Sequence, residues 1–205
     1  SVRIYPLVMR VKSHTMLNYE SLYQNYELIN DLKENNTEGA VVECGSWKGG
    51  NGAFMAKVSN RETWLFDSFE GLPEQGELDR KKEGRRSLKK GELAVPEELT
   101  HEIIKKIGVE KNTHVRKGWF NESLPKNKKN IGPIALLRID GDFYSSTKTV
   151  LDELYNQVVP GGYIILDDFR DFEGCRKAVY EFFIENNIHP NLQSFYPMGK
   201  IYFKK

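Results

Sequence analysis

Five short segments along the chain read as strands: Ala40 to Cys44, Thr63 to Phe66, Thr113 to Lys117, Ile134 to Ile139 and Tyr163 to Leu166. The continuously apolar ones, bounded by Gly and Pro, suit strands covered on both faces, as in a parallel sheet. Helical periodicity lies between them. Leu22, Tyr26, Ile29 and Leu32 keep a 3–4 spacing that predicts an amphipathic helix over Asn18–Asn35, ended by Asn35-Asn36 and Gly39. A second helix should run from the glycine-rich turn at 45–52 through Val58. A third spans Pro96–Ile107, with Pro at its first position, Glu97-Glu98 in its first turn and a stripe of Leu99, Ile103 and Ile107. Ser145–Val158 and Gly174–Asn187 complete the set, the latter with Ala178, Phe182 and Phe183 inward.

The first 17 residues lack clear periodicity, although Ile4, Leu7, Val8 and Val11 suit a short packed turn. At the other end, Leu192–Tyr196 and Lys200–Phe203 flank Pro197-Met198-Gly199 and predict a closing antiparallel hairpin. Alternating β and α units specify an α/β fold. The expectation is a three-layer sandwich around a mostly parallel, seven-stranded sheet with an antiparallel C-terminal hairpin.

Length and charge narrow the classes. At 205 residues the chain suits one domain, 1–205, with 1–38 as an N-terminal helical segment. Basic and acidic residues balance at 30 against 29, which argues against a nucleic acid or a membrane as partner. Only Gly76 to Leu93, with seven basic and four acidic residues, keeps an RNA partner in view. That run has few apolar anchors and reads as a solvated loop, or as a mobile lid over 74–95. Cys44 and Cys175 make no disulfide framework, and Cys44 falls inside a strand, so a reduced, cytoplasmic protein is expected. No apolar run approaches the roughly 20 residues that span a bilayer.

Two acidic clusters follow directly on strands: Asp140 and Asp142 after Ile139, and Asp167-Asp168 after Leu166. At the carboxyl ends of parallel strands these side chains reach the crevice where open α/β sheets bind ligands. At ~4 Å and an effective dielectric near 20, each like-charged pair costs roughly 4 kcal/mol. A divalent cation with oxygen ligands relieves that repulsion. The blander readings are turn chemistry for Asp167-Asp168 and an ion pair to Arg138 for Asp140. None of the four histidines has zinc-ligand spacing with another.

The turn Gly45-Ser46-Trp47-Lys48-Gly49-Gly50-Asn51-Gly52 follows the first strand and matches neither the dinucleotide fingerprint nor a P-loop. It suits a nucleotide-like ligand or, equally, a tight strand-to-helix connection. Asp67, at the tip of the next strand, is placed for ribose hydroxyls, with a turn cap as the alternative. Gly118-Trp119-Phe120 closes the third strand with an aromatic pair that could wall an adenine or simply pack in the core.

The stretch Val41 to Gly50 resembles the first motif of class I S-adenosylmethionine-dependent methyltransferases, and more narrowly the macrocin O-methyltransferase (TylF-type) family. Further segments similar to that family are Phe66-Asp67-Ser68-Phe69-Glu70-Gly71-Leu72-Pro73, Leu137 to Thr147, Val159-Pro160-Gly161-Gly162, Asp167-Asp168 and Gly174 to Val179, with Thr15-Met16 near the start. The resemblance implies a Rossmann-like fold and a magnesium-dependent enzyme that methylates a hydroxyl of a sugar or other small molecule. It places Mg2+ on Asp140, Asp167 and Asp168 and the proton-accepting role on Asp142, although Asp140 and Asp142 could exchange roles. Glu43, Gly45, Ser46, Lys48, Gly49 and Gly50 would hold the methionine end of S-adenosylmethionine. Asp67 and Ser68 would take the ribose, with Gly118, Trp119 and Asp140 completing the cofactor site. It leaves a homodimer as the expected assembly. Two other readings stand: a catechol-type enzyme, favoured by an acceptor pocket rich in Trp, Phe or Met, and a non-catalytic nucleotide-binding module of the same fold.

Overall fold

The computed structural model describes residues 4–79, 88–195 and 199–205. A short helix α1 (Tyr5–Val11) with Pro in its first turn buries Val8 and Val11, and a 3-10 turn at Lys12–His14 prolongs it. Helix α2 (Tyr19–Glu34) starts at Asn18, whose side chain accepts the N–H of Ser21. Then β1 (Ala40–Cys44), α3 (Gly50–Ser59), β2 (Thr63–Asp67), α4 (Glu98–Ile107), β3 (Thr113–Lys117), α5 (Phe120–Ile131), β4 (Ile134–Ile139), α6 (Tyr144–Leu154), β5 (Val158–Leu166), α7 (Glu173–Glu185) and β6 (Ile201–Lys204) follow.

The strands form one sheet in the order β3-β2-β1-β4-β5-β6, parallel except for β6, which runs antiparallel to β5. Residues at alternating positions divide the core. Val41, Leu65, Leu136 and Ile165 face α1 to α4 on one side, while Val42, Phe66, Leu137 and Ile164 face α5 to α7 on the other. The three-layer α/β sandwich is therefore as the pattern predicts.

The strand count is not. The sheet has six strands rather than seven, because among the described residues the expected strand at Leu192–Tyr196 is reduced to one bridge, Gln193 with Tyr202. Tyr196 to Met198 lie outside the described residues, as does the centre of the expected lid, 80–87. The expected strand Lys200–Phe203 forms one residue further on, at Ile201–Lys204, and its ladder is with β5. That strand is longer than its apolar run suggests: it takes in Pro160-Gly161-Gly162. Helix α5 gave no signal in sequence, since Pro125 interrupts it and only Ser123, Leu124 and Ile131 are buried. No helix among the described residues is long and apolar enough to cross a membrane.

The sheet reverses its winding between β1 and β4, which are neighbours with β2 and β5 outside them. At such a switch point the helices after the two strands diverge to opposite faces and leave a crevice at the strands' carboxyl ends.

Candidate active site

The ladder continues past the strand ends and fixes the backbones that line the crevice. Gly45 N–H donates to Phe66 O at 2.8 Å, Asp140 N–H to Cys44 O at 2.9 Å, and Asp167 N–H to Ile139 O at 2.9 Å. Gly45 has φ +97°, and a Cβ there would stand 1.8 Å from the carbonyl oxygen of Asp140. Only glycine lets these two chain segments approach so closely.

Above them lies a cavity of about 400 Å³, within the range of small-molecule sites. Gly45, Asp67, Ser68, Gly118, Trp119, Asp140 and Asp142 all line it. The remaining expected cofactor residues do not. Gly49 initiates α3 at φ +76°, and Gly50 packs so tightly on the His14 backbone that a Cβ would meet it at 2.5 Å. Lys48 lies over the Trp47 ring, 4.3 Å from its centre, while Ser46 is buried with its hydroxyl unpartnered among the described residues. Asp67 accepts the N–H of Phe69 in its own turn and the N–H of Trp47 in the glycine-rich turn, each at 2.7 Å. Burial raises its pKa, and these backbone donors oppose the rise. The turn-cap reading of Asp67 therefore holds alongside its place on the cavity wall.

Beneath the cavity floor is a buried charge network. Arg138, 2 % exposed, donates to Glu43 and to Asp140, each at 2.8 Å, and pairs with Asp167. Lys200, from the approach to β6, reaches Asp167 at 2.6 Å. Asn51 of α3 donates to the same Glu43 oxygen at 2.6 Å, and Asn25 of α2 donates in turn to Asn51. The other Glu43 oxygen is buried without a partner among the described residues.

Asp140, Asp142 and Asp168 converge, with one oxygen from each within 4.8 Å of the others. Asp142 has φ +57°, and its N–H donates to Asp168 Oδ2 at 2.9 Å. Asp167, grouped with the metal ligands in sequence, instead turns its carboxylate to Arg138 and Lys200; Asp142 stands in the cluster in its place. The ion pair between Asp140 and Arg138, the blander reading, is also present, so Asp140 belongs to both networks.

The electrostatics follow from burial. Burial pushes Asp168 well above its ordinary carboxylate value, and Asp142, Asp140 and Asp167 add to the rise. Burial and then Asp167 raise Asp140 to about 6, against the pull of Arg138. Burial raises Glu43 to about 7, again opposed by Arg138. Five carboxylates share this region with two cations, Arg138 and Lys200, so full ionisation leaves an excess of three negative charges.

The wall also holds residues that sequence did not single out: Asn121 at the start of α5, and Ser145, Ser146 and Thr149 on α6. The hydroxyls at i, i+1 and i+4 of a helix opening directly after the acidic motif were the available signal. Met16, Leu72, Pro73, Leu93 and Phe120 supply the apolar part.

A Rossmann-like sheet with a ligand cavity and carboxylates at its switch point is the fold of the class I S-adenosylmethionine-dependent methyltransferases. The profile of the macrocin O-methyltransferase (TylF) family matches residues 8–205, and the chain belongs to that family of O-methyltransferases. It is 34% identical over 181 residues to the 8-demethyl-8-(2,3-dimethoxy-alpha-L-rhamnosyl)-tetracenomycin-C 4'-O-methyltransferase of Streptomyces olivaceus, covering 83% of this chain and 67% of that one. It is 35% identical over 179 residues to the demethyldecarbamoylnovobiocin O-methyltransferase of Streptomyces niveus, covering 83% and 68%. The solved structure of the O-methyltransferase NovP superposes with a TM-score of 0.80 at 30% identity, covering 94% of this chain and 82% of NovP.

Proposed function

We propose that the chain transfers a methyl group from S-adenosylmethionine to a hydroxyl of a sugar on a small-molecule glycoside, with Mg2+ in the acid cluster. The observation that carries this reading is the convergence of Asp140, Asp142 and Asp168, the first two of which line the cavity. Hard oxygen donors and an excess of negative charge suit a small divalent cation. Bound there, it would orient an acceptor hydroxyl and lower its pKa, while the donor's sulfonium supplies the methyl group.

The chain's own residues do the rest. Asp140 and Asp168 offer oxygens to the cation, and Asp142 offers a third. Asp142, which lines the cavity, takes the proton of the acceptor hydroxyl as the new O–C bond forms. Arg138 fixes Asp140 from below. The transfer is an in-line displacement, so the acceptor oxygen must be aligned with the methyl carbon, and the Gly45–Asp140 contact sets the spacing of the walls that align them.

The hydroxyl face of α6 and Asn121 favour a sugar, and so do the relatives, one of which is named for a 4'-O-methylation of a rhamnosyl compound. A second reading has its own support. Met16, Trp119 and Phe120 on the wall favour an aromatic diol of the catechol type. The test is mass spectrometry on rhamnosides, other glycosides and catechols with S-adenosylmethionine and Mg2+. The sugar reading expects the gain of one CH2 unit on a glycoside; methylation of catechols alone refutes it.

A further inference from the structure

Besides Glu43 and Asp167, a further buried carboxylate lies outside both the cavity wall and the cluster. Asp79, 4 % exposed, comes from the charged run before 80–87. Its Oδ1 accepts the N–H of Tyr144 at 2.6 Å across 65 residues of chain, and its Oδ2 accepts the N–H of Gly76 at 2.9 Å. Tyr144 is the first residue of α6, whose N-cap is Phe143 and whose first turn carries no acid. Asp79 therefore supplies from a distance the cap that the local sequence lacks. Gly174 makes room for it, since a Cβ there would stand 2.0 Å from Asp79 Oδ1.

The turn just before α6 holds Asp142. Its N–H is held by Asp168, and Phe143 N–H closes onto Gly141 O at 2.5 Å. Two carboxylates thus grip the segment from Asp142 to Tyr144, one at each end. Asp142 needs that grip, because its φ of +57° is one that a non-glycine residue rarely keeps without support.

We propose that Asp79 is a positioning residue for methyl transfer: by capping α6 it holds the Asp142 turn in the conformation that faces Asp142 toward the acceptor. This inference rests on the assignment of Asp142 as proton acceptor. It makes the start of the charged run part of the catalytic apparatus, although Asp79 itself touches neither cavity nor cluster.

The experiment compares Asp79→Ala, Asp79→Asn, Asp142→Asn and the double variant Asp79→Ala/Asp142→Asn. S-adenosylhomocysteine release is followed with the best acceptor of the glycoside panel, and S-adenosylmethionine affinity is measured by calorimetry. Asp79→Ala is expected to lower kcat about tenfold or more while donor affinity stays within about threefold. Asp79→Asn, whose amide oxygen still accepts one N–H, falls between it and the parent. The double variant should be no slower than Asp142→Asn, because Asp79 acts through that residue. Unchanged kcat in Asp79→Ala overturns the proposal, whatever its melting temperature. So does a double variant slower than Asp142→Asn by the full Asp79→Ala factor, or donor affinity lost in step with kcat. If Asp79→Ala does not fold, the nearly isosteric Asn variant decides, parental kcat there overturning the proposal. Full turnover in Asp142→Asn is a separate result: it removes the proton-acceptor assignment on which the inference stands.

Discussion

Arg138 on β4 and Glu43 on the adjacent β1 meet at 2.8 Å with both side chains essentially closed off from water. The pair is tied to the acid cluster, since the same guanidinium nitrogen also reaches Asp140. Removing it leaves buried anions without a counter-charge. Arg138→Met should destabilise the fold by about 3–5 kcal/mol, read from urea unfolding, because breaking a buried pair from one side exposes the full desolvation cost of the other. Glu43→Gln in the same chain should recover part of that loss. A change in unfolding free energy below about 1 kcal/mol in Arg138→Met would show the network to be loosely solvated.

Cation binding separates from donor binding. Asp140→Asn and Asp168→Asn each remove an oxygen from the cluster but leave the wall formed by Gly45, Asp67 and Trp119. Calorimetry should show Mg2+ affinity falling by about tenfold or more in each, with S-adenosylmethionine affinity close to the parent's. Equal loss of both affinities would mean that the acids hold the donor rather than a cation.

Stability should fall as pH rises when no divalent cation is present. Glu43 and Asp140 titrate at about 7 and about 6 in the folded chain. In the unfolded chain they titrate near ~4.3 and ~3.9. Between those limits the folded state holds more protons than the unfolded one, so unfolding free energy declines with pH from about 4 to about 7. Glu43→Gln removes one of these groups and should flatten the decline, as thermal melts in buffers containing a chelator would show. An identical pH slope in parent and variant counts against a protonated, buried Glu43.

Gly45 and Gly108 make a matched pair. Both have positive φ, but a Cβ at Gly45 would run into Asp140 while one at Gly108 meets nothing within 4 Å. Gly108→Ala should cost about 1 kcal/mol, the conformational penalty alone. Gly45→Ala should cost well over 2 kcal/mol, roughly, and abolish donor binding, because β1 and β4 must separate. Similar losses at the two positions would contradict the close approach.

Much of this was legible in sequence, for physical reasons that differ between residues. The four inner parallel strands show as apolar runs because both faces are covered, whereas the edge strand β3 is half-exposed and mixed, and Asp140, Asp142 and Asp168 follow strand ends that the sheet must bring together. Helix α5 was hidden because Pro125 and the three lysines and three asparagines around it mask three inward residues. The diversion of Asp167 could not be read, since Lys200 arrives from 33 residues downstream. Asp79 was lost among the charges of a run that reads as solvated. Its role depends on a vacancy at Gly174 and an uncapped helix, both visible only in three dimensions.

The central claim is cation-dependent methylation of a sugar hydroxyl with Asp142 taking the proton. Its most direct test is mass spectrometry of a glycoside incubated with S-adenosylmethionine and the parent chain, with Mg2+, after chelation and after Mg2+ is restored. A donor-dependent gain of one CH2 unit on the sugar that vanishes on chelation, returns with Mg2+ and is absent with Asp142→Asn is the predicted result. The same gain persisting through chelation, or produced equally by Asp142→Asn, would contradict it.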